Sequence, residues 1–193
     1  NRSVDDTHLY NYGRTLTGLF PEKTLCGKNL YLSSYALSEE EKTQRKNRYY
    51  LPYYQKIAEL LQNLQKDFSH VLLFDAHSIR HCVSAIRITP FSNFILGSSD
   101  CISAHTDIIN SALSALHEQQ IFSVSHNDPF KGGNITRYFG KPLQKVHALQ
   151  LEMTQNNYMD EQTLLYQRDK AELVRNILKN LFVSLDQTLR KLS

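Results

Sequence analysis

The chain has 193 residues, of which 41% are hydrophobic and 21% are charged, and its formal net charge is +3. These values are typical of one globular domain with a substantial core, so residues 1–193 are predicted to form a single domain. The small net charge argues against a nucleic-acid partner, no segment predicts a membrane span, and three cysteines without paired spacing favour a reducing, cytoplasmic compartment.

The first predicted helix lies between residues 38 and 68, after a turn-rich stretch at residues 1–37. Ser38 and Glu41 match a capping box, in which the serine side chain accepts a hydrogen bond from the backbone three residues later. Pro52 is expected to kink or split this helix, because proline removes a backbone hydrogen bond. The predicted core-facing stripe of the helix consists of Ile57, Leu60, Leu61 and Leu64.

Four short apolar segments follow and are predicted to be strands: residues 71–74, 93–100, 121–130 and 146–153. The first, "VLLF", has no polar alternation, which predicts a strand buried on both faces in the middle of a sheet. Helices are predicted at residues 104–119 and from about residue 161 to residue 192. Helices that alternate with short strands predict an α/β layered fold. In the last helix the predicted core-facing residues recur at every fourth position: Leu173, Ile177, Leu181, Leu185 and Leu189.

Two segments place titratable side chains inside or directly after apolar strands. Asp75 and His77 follow the first strand at a spacing of two, so they point the same way if the extended geometry continues. Glu152 in "HALQLEM" shares a strand face with Gln150, and His147 lies on the opposite face. His77 is either a hydrogen-bonded structural histidine or a metal ligand oriented by Asp75. Glu152 is either a general base with a raised pKa or a structural residue, in a buried ion pair or at a solvated strand end.

Several cations are candidates for binding an anionic substrate. Lys131 and Arg137 flank the glycine pair of "NDPFKGGNITRYFG", and an arginine can bind a carboxylate through two hydrogen bonds. Arg14 in "YGRTLTG" and the Asn1-Arg2 pair at the start of the sequence are similar candidates. In each case the alternative is a solvated surface or loop, because glycine pairs mark turns more often than binding sites.

Six segments, in order along the chain, resemble the N-formylglutamate amidohydrolase family of histidine degradation. They are "NRSVDDTHLY", "GRTLTGLFPEKTLCGKNLY", "RYYLPYY", "VLLFDAHSIR", "NDPFKGGNITRYFGKP" and "VHALQLEMTQNNYMDE". The combination of "DAHSIR" and "HALQLEM", with "KGGNITRYFG" between them, makes the resemblance specific. It covers nearly the whole chain and implies a three-layer, phosphorylase/hydrolase-like fold. In that fold a mixed, mostly parallel central sheet is flanked by helices.

The resemblance also implies an amidohydrolase. It would hydrolyse the formyl amide of N-formyl-L-glutamate, or of a similar small N-acylated acidic amino acid, to formate and glutamate. The family looks like a distant relative of the zinc carboxypeptidases, which implies a divalent metal, expected to be zinc, with His77 as a ligand. Glu152 would activate water, and Asp75 and Gln150 would contact and orient the residues that act on the substrate. The anionic substrate would be held by Asn1, Arg2, Arg14, Lys131 and Arg137.

The chain also departs from the family pattern. The family's first two metal ligands lie upstream of the "NR" pair at which this sequence starts, so we expect an N-terminally truncated domain with an incomplete metal site. Tyr54 stands where the family has a histidine, Cys101 where it has a glycine, and Asn134 where it has an aromatic residue. The alternative function is therefore a catalytically inactive remnant or binding module that keeps the fold and the anion-binding cations. Residues 1–193 alone are expected to bind no stoichiometric zinc and to show no deformylase activity.

Overall fold

The structure, a computed structural model, describes residues 19–24, 27–32 and 35–192. Asn1, Arg2 and Arg14 lie outside these described residues. In chain order, the described helices and strands are α1 (Glu39–Arg45), α2 (Leu51–Asp67), β1 (Val71–Ile79), β2 (Phe94–Gly97), α3 (Thr106–Glu118), β3 (Val124–His126), α4 (Asn134–Phe139), β4 (Val146–Thr154) and α5 (Arg168–Lys191). None of the described helices combines the length and the apolar character that crossing a bilayer requires.

The four strands form one sheet in the order β1-β4-β2-β3, in which β4 is parallel to β1 and antiparallel to β2, and β2 is parallel to β3. One face packs against α3 and α5 and contains most of the core, including Phe94, Leu149 and Leu181. The opposite face packs against α2 and α4 through a smaller cluster that includes Leu61 and Ile135. The predicted α/β fold, with a mixed and mostly parallel sheet between helices, is confirmed.

The position predicted for the first strand within the sheet is wrong. β1 lies at the edge of the sheet that the described residues form, and residues 72–74 are only partly buried. A run without polar alternation indicates that both faces of a strand are covered, but it carries no information about a neighbour on each edge. β1 is also longer than predicted, because it continues through Asp75 and His77 to Ile79. The expectation that Asp75 and His77 share one strand face is therefore confirmed.

The α-helical pattern of the predicted first helix is interrupted just before Pro52, but the helix is not split, because the chain remains helical from Glu39 to Asp67. A π-helical turn, Lys46–Tyr50, joins α1 to α2, and Pro52 is the second residue of α2. Proline is tolerated in the first turn of a helix because its missing N–H has no intrahelical partner there. The capping prediction is also confirmed, since the Ser38 Oγ accepts a hydrogen bond of 3.1 Å from the Glu41 backbone N–H.

Replacing Ser38 with alanine is expected to lower the free energy of unfolding by about 1 kcal/mol, because the first turn of α1 loses its side-chain acceptor. Urea unfolding of the two proteins at neutral pH measures the difference. Ser84→Ala, at an exposed position, provides the matched control and should leave the midpoint unchanged. Equal effects of the two substitutions would contradict a capping role for Ser38.

The last helix differs from its prediction at its start and in its buried stripe. α5 begins at Arg168 and not at residue 161. Residues 160–163 form a turn instead, in which the Asp160 carboxylate accepts hydrogen bonds from the backbone N–H groups of residues 162 and 163. Leu173 is 46% exposed and was wrongly assigned to the core. A helix has 3.6 residues per turn, so a stripe with a strict spacing of four drifts around the helix. The buried stripe instead mixes spacings of three and four: Ala171, Val174, Ile177, Leu181 and Leu185.

Candidate functional site

The register between β1 and β4 brings four polar side chains together on one face of the sheet. Asp75 pairs with Gln150, and His77 pairs with Glu152, in parallel strands whose spacing is about 4.8 Å. Residues paired in register point to the same face, and this is the face that packs against α2 and α4 farther back along the strands. The site thus lies at the carboxyl ends of two parallel strands, where α/β sheets commonly bind ligands.

His77 and Asp75 form an ion pair at one end of this site. The His77 Nε2 lies 2.9 Å from the Asp75 Oδ1, and the Asp75 side chain is 14% exposed. This hydrogen bond raises the pKa of His77, against the opposing effect of burial. The carboxylate also fixes the orientation of the imidazole ring. Nε2 is the ring nitrogen that contacts Asp75, and Nδ1 is the other one. The geometry is therefore the one expected of an imidazole oriented by a carboxylate.

Glu152 is buried beside this pair, with an exposed fraction of 8%. Its pKa is raised to about 7, mainly by burial; protonated His77 lowers the pKa, and the Asp75 charge makes a smaller contribution that raises it. A carboxylate with a pKa near neutrality can accept a proton from water and release it again at neutral pH. A raised pKa of this kind is one requirement for a general base.

Gln150 connects the site to the glycine pair of the loop before α4. Its side-chain Oε1 accepts a hydrogen bond of 2.7 Å from the Gly133 backbone N–H. The neighbouring Gly132 backbone passes so close to Gly97 that a Cβ on Gly97 would lie 2.6 Å from the Gly132 nitrogen. Gly97 is in turn the β2 partner of Gln150. The loop is therefore held against the same sheet face that presents Glu152.

The two candidate substrate-binding cations near this loop, Lys131 and Arg137, each contact a protein group. The Lys131 ammonium forms an exposed ion pair of 3.0 Å with Asp100, and the Arg137 guanidinium donates a hydrogen bond of 2.9 Å to the Gly132 carbonyl. Arg137 projects from α4, whose N-cap residue is Gly133. Of the substrate-binding residues predicted from the sequence, the structure therefore places Lys131 on the loop before α4 and Arg137 on α4 itself.

The turn that precedes α3 explains one departure from the family pattern. Ser99, Asp100 and Cys101 all have positive φ angles, of 51°, 56° and 69°. Glycine adopts such angles most readily, so a glycine at position 101 would relieve strain that the cysteine carries. The turn is instead fixed by hydrogen bonds: the Ser98 Oγ accepts from the Cys101 N–H, and the Ser99 N–H donates to the Lys131 carbonyl.

Two other departures, Tyr54 and Asn134, contact each other. The Asn134 Nδ2 donates a hydrogen bond of 2.7 Å to the Tyr54 hydroxyl across 80 positions of sequence. Both positions stand out in the sequence, but no spacing pattern relates a residue of a predicted helix to a residue of a predicted loop 80 positions away. A joint change at both positions among relatives would have been the signal.

The part of the chain that the structure describes does not supply enough side chains to bind a metal ion. His77 has the chemistry and the carboxylate partner of a zinc ligand. No group of three or more histidine, cysteine, aspartate or glutamate side chains among the described residues is arranged to hold a metal ion. A zinc site needs three or four protein ligands, so the described residues alone do not fit zinc.

Comparisons with known protein sequences agree with one another. A sequence model of the family described as N-formylglutamate amidohydrolase matches residues 1–159. The N-formylglutamate deformylase of Pseudomonas aeruginosa is 38% identical over 186 residues, covering 96% of this chain and 69% of that protein. The N-formylglutamate deformylase of Pseudomonas putida is 34% identical with the same coverage.

Two solved structures have a fold similar to that of this chain. The crystal structure of N-formylglutamate amidohydrolase from Ralstonia eutropha JMP134 superposes with a TM-score of 0.77 at 24% identity, covering 92% of this chain and 63% of that chain. A gene product of Agrobacterium tumefaciens superposes with a TM-score of 0.64 at 14% identity, covering 86% and 62%. The chain therefore spans a little less than two thirds of the length of these two solved relatives.

Proposed function

This chain belongs to the N-formylglutamate amidohydrolase family, and from that premise we propose that it hydrolyses the formyl amide of N-formyl-L-glutamate to formate and glutamate. Two relatives of this chain are named N-formylglutamate deformylase, which supports a hydrolase of this substrate over a catalytically inactive binding module. The observation on which the proposal depends most is the placement of Glu152. A buried carboxylate with a pKa of about 7 lies next to a histidine–aspartate pair at the strand ends.

The residues of this chain supply the proton transfers that amide hydrolysis needs. Glu152 accepts a proton from the attacking water as the water oxygen bonds to the formyl carbon. When the carbon–nitrogen bond breaks, the same carboxyl group donates that proton to the leaving amine, so formate and glutamate are released and Glu152 is again ionised. Burial keeps the carboxyl pKa close to that of an effective base at neutral pH.

The loop residues are proposed to bind the anionic parts of the substrate. Arg137 can bind a carboxylate through two parallel hydrogen bonds, and Lys131 can add a second positive charge from the loop before α4. Gln150 holds this loop against the sheet through its hydrogen bond with Gly133. Asn1, Arg2 and Arg14 lie outside the described residues, and their proposed role is the same.

We also propose that the enzyme uses a divalent metal, with zinc as the expected ion and His77 as one of its ligands. Its remaining ligands would have to come from outside the described residues, because those residues contain no group of three suitable side chains. A bound zinc would polarise a carbonyl oxygen and lower the pKa of bound water. The proton transfers assigned to Glu152 require only its buried carboxylate.

A formate-release assay on the complete gene product tests the proposed function. We expect N-formyl-L-glutamate to be hydrolysed, and N-formyl-L-leucine, which lacks the side-chain carboxylate, to be a much poorer substrate. Treatment with a chelator should remove the activity, and added Zn²⁺ should restore it. Failure of the complete protein to release formate with Zn²⁺ present would refute the proposed hydrolysis. Full activity in chelator would refute the metal.

Replacing Arg137 with lysine is expected to raise the KM for N-formyl-L-glutamate about 10-fold and to leave kcat within about 3-fold. Lysine keeps the positive charge but loses the planar pair of donors that binds a carboxylate. Steady-state formate release measures both constants. Arg190→Lys, at an exposed position on α5, is the matched control and should behave as the unmodified enzyme does. An unchanged KM in Arg137→Lys would return Arg137 to a structural role.

A further inference from the structure

We propose that Tyr54 is a positioning residue for Arg137: its hydroxyl and its ring hold the two ends of the short helix that carries this arginine. The inference rests on the proposed function, because it gives Arg137 a substrate to bind. Tyr54 lies on α2, whereas Arg137 lies on α4. The Tyr54 side chain contacts α4 at both ends, at Asn134 and at the adjacent pair of Tyr138 and Phe139. Its effect on the substrate would therefore be transmitted through α4 and not through direct contact.

The first point of contact is the beginning of α4. Asn134 is the first residue of this helix, and its Nδ2 donates hydrogen bonds to the hydroxyls of Tyr54 and Tyr50, at 2.7 Å and 3.3 Å. The two tyrosine rings are stacked with their centroids 4.4 Å apart, so the acceptor hydroxyls are presented side by side. The pair tethers the side chain of the first residue of α4, where the N-cap residue Gly133 makes no side-chain capping bond.

The second point of contact is the end of α4. The Tyr54 ring stacks on Phe139, the last residue of the helix, with centroids 5.6 Å apart and an interplanar angle of 26°. Phe139 is buried in the cluster that includes Leu61 of α2, and Tyr54 packs against that same cluster. One side chain thus contacts the first and the last residue of α4, and Arg137 lies between them.

External contacts are necessary here because α4 has only six residues. Helices this short are unstable in isolation, since the cost of ordering the first turn exceeds what a few hydrogen bonds return. Arg137 is exposed, and its guanidinium donates to Gly132, so its position depends on the backbone of the loop and of α4. Loosening the start of α4 would let Arg137 sample positions in which it does not meet the substrate carboxylate.

The hydroxyl and the ring of Tyr54 can be separated by mutation. Tyr54→Phe keeps the stacking on Phe139 and removes the acceptor for Asn134. A hydrogen bond of this kind contributes about 1 kcal/mol, so we expect a rise of about 5-fold in KM, with kcat within about 2-fold. Amide hydrogen exchange of residues 134–139 should accelerate by a similar factor, because local opening of α4 becomes easier.

The experiment combines these kinetics with hydrogen exchange of the complete gene product in four variants. Asn134→Ala removes the hydrogen bond to Tyr54 and the longer one to Tyr50, so it should raise KM at least as much as Tyr54→Phe does. The double variant should be no worse than Asn134→Ala, because the Tyr54 hydroxyl has then already lost its donor. Tyr49→Phe is the matched control: it removes an exposed hydroxyl from the neighbouring π-helical turn and should leave KM and exchange unchanged.

The possible outcomes separate this inference from the proposed function. A raised KM together with faster exchange in α4 supports a positioning role. The positioning role would be overturned if an active Tyr54→Phe variant had the same KM and the same hydrogen exchange in α4 as the unmodified protein. A lower kcat at constant KM would overturn it as well. Absence of formate release from the unmodified protein would instead overturn the proposed function, while the exchange data would still decide whether Tyr54 holds α4.

Discussion

Replacing Glu152 with glutamine is expected to lower kcat for N-formyl-L-glutamate by at least about 100-fold, which is the usual contribution of a general base. Glutamine has nearly the same size and can occupy the same buried position, but it cannot accept a proton from water. The exposed fraction of Glu152 is 8%, and it lies in register with His77, so the substitution changes the chemistry at the centre of the site. KM should change far less than kcat, because the proton transfer occurs only in the transition state.

Two comparisons make this result specific. Glu118→Gln, at an exposed position at the end of α3, should leave kcat unchanged and so controls for the loss of one negative charge. Metal analysis of purified Glu152→Gln should match the unmodified protein, since His77 and not Glu152 is the proposed ligand. Turnover within a few-fold of the unmodified enzyme would remove Glu152 from the mechanism.

The parts of the site that the sequence predicted are local in the chain. Asp75 and His77 are two residues apart in one strand, and Gln150 and Glu152 are two residues apart in another, so strand periodicity alone places each pair on one face. The pairing of β1 with β4 joins residues 75 positions apart. Only the resemblance to a known family placed the two pairs in one site before the structure did.

The parts that the sequence did not predict depend on tertiary contacts. α4 has only six residues and directly follows a glycine pair, so it gives no helical pattern, and its packing against α2 stabilises it. The edge position of β1 depends on which strands pair, and hydrophobic pattern does not specify pairing. The contact between Tyr54 and Asn134 likewise joins two elements whose separation in sequence leaves no periodic signal.

Acid is expected to destabilise the protein through a buried histidine on the opposite side of the sheet from Glu152. His147 is fully buried, its Nδ1 accepts a hydrogen bond of 3.2 Å from the His105 backbone N–H, and its Nε2 lies 2.9 Å from the His70 Nδ1. The neutral ring satisfies both contacts by carrying its single proton on Nε2. Burial, reinforced by the neighbouring histidines, lowers the pKa of His147 to about 4.

The sign of the pH effect follows from proton binding. Between pH values of about 4 and 6.5 the unfolded chain protonates His147, whose ordinary pKa is 6.5, and the folded chain does not. The stabilising contribution is therefore complete above about pH 6.5 and declines as the pH falls toward 4. Between pH 8 and pH 5 the loss amounts to about 2 kcal/mol.

Glu152 acts in the opposite direction over the same pH range. Its pKa of about 7 in the folded protein lies above the ordinary value of 4.5, so the folded chain binds the extra proton. Stability from this group therefore increases by about 2 kcal/mol as the pH falls from 8 to 5. The two buried groups oppose each other, and the pH response of the unmodified protein should lie between those of variants that lack one of them.

Urea unfolding of Glu152→Gln and His147→Gln at pH 8, 6.5 and 5, in chelator so that no metal binds at His77, should separate the two effects. On acidification Glu152→Gln should lose stability relative to the unmodified protein and His147→Gln should gain it, which opens a difference of about 4 kcal/mol at pH 5. The causes of the lowered pKa values of His70 and His126 remain in both variants. The hydrogen bond with Asp75, the main cause of the raised pKa of His77, also remains, but Glu152→Gln removes the smaller contribution of the Glu152 charge. His117→Gln, at an exposed position, should follow the unmodified protein. A pH response of His147→Gln that matches the response of the unmodified protein would contradict the buried, neutral state of His147, because a histidine that titrates normally contributes no difference between the folded and unfolded chains.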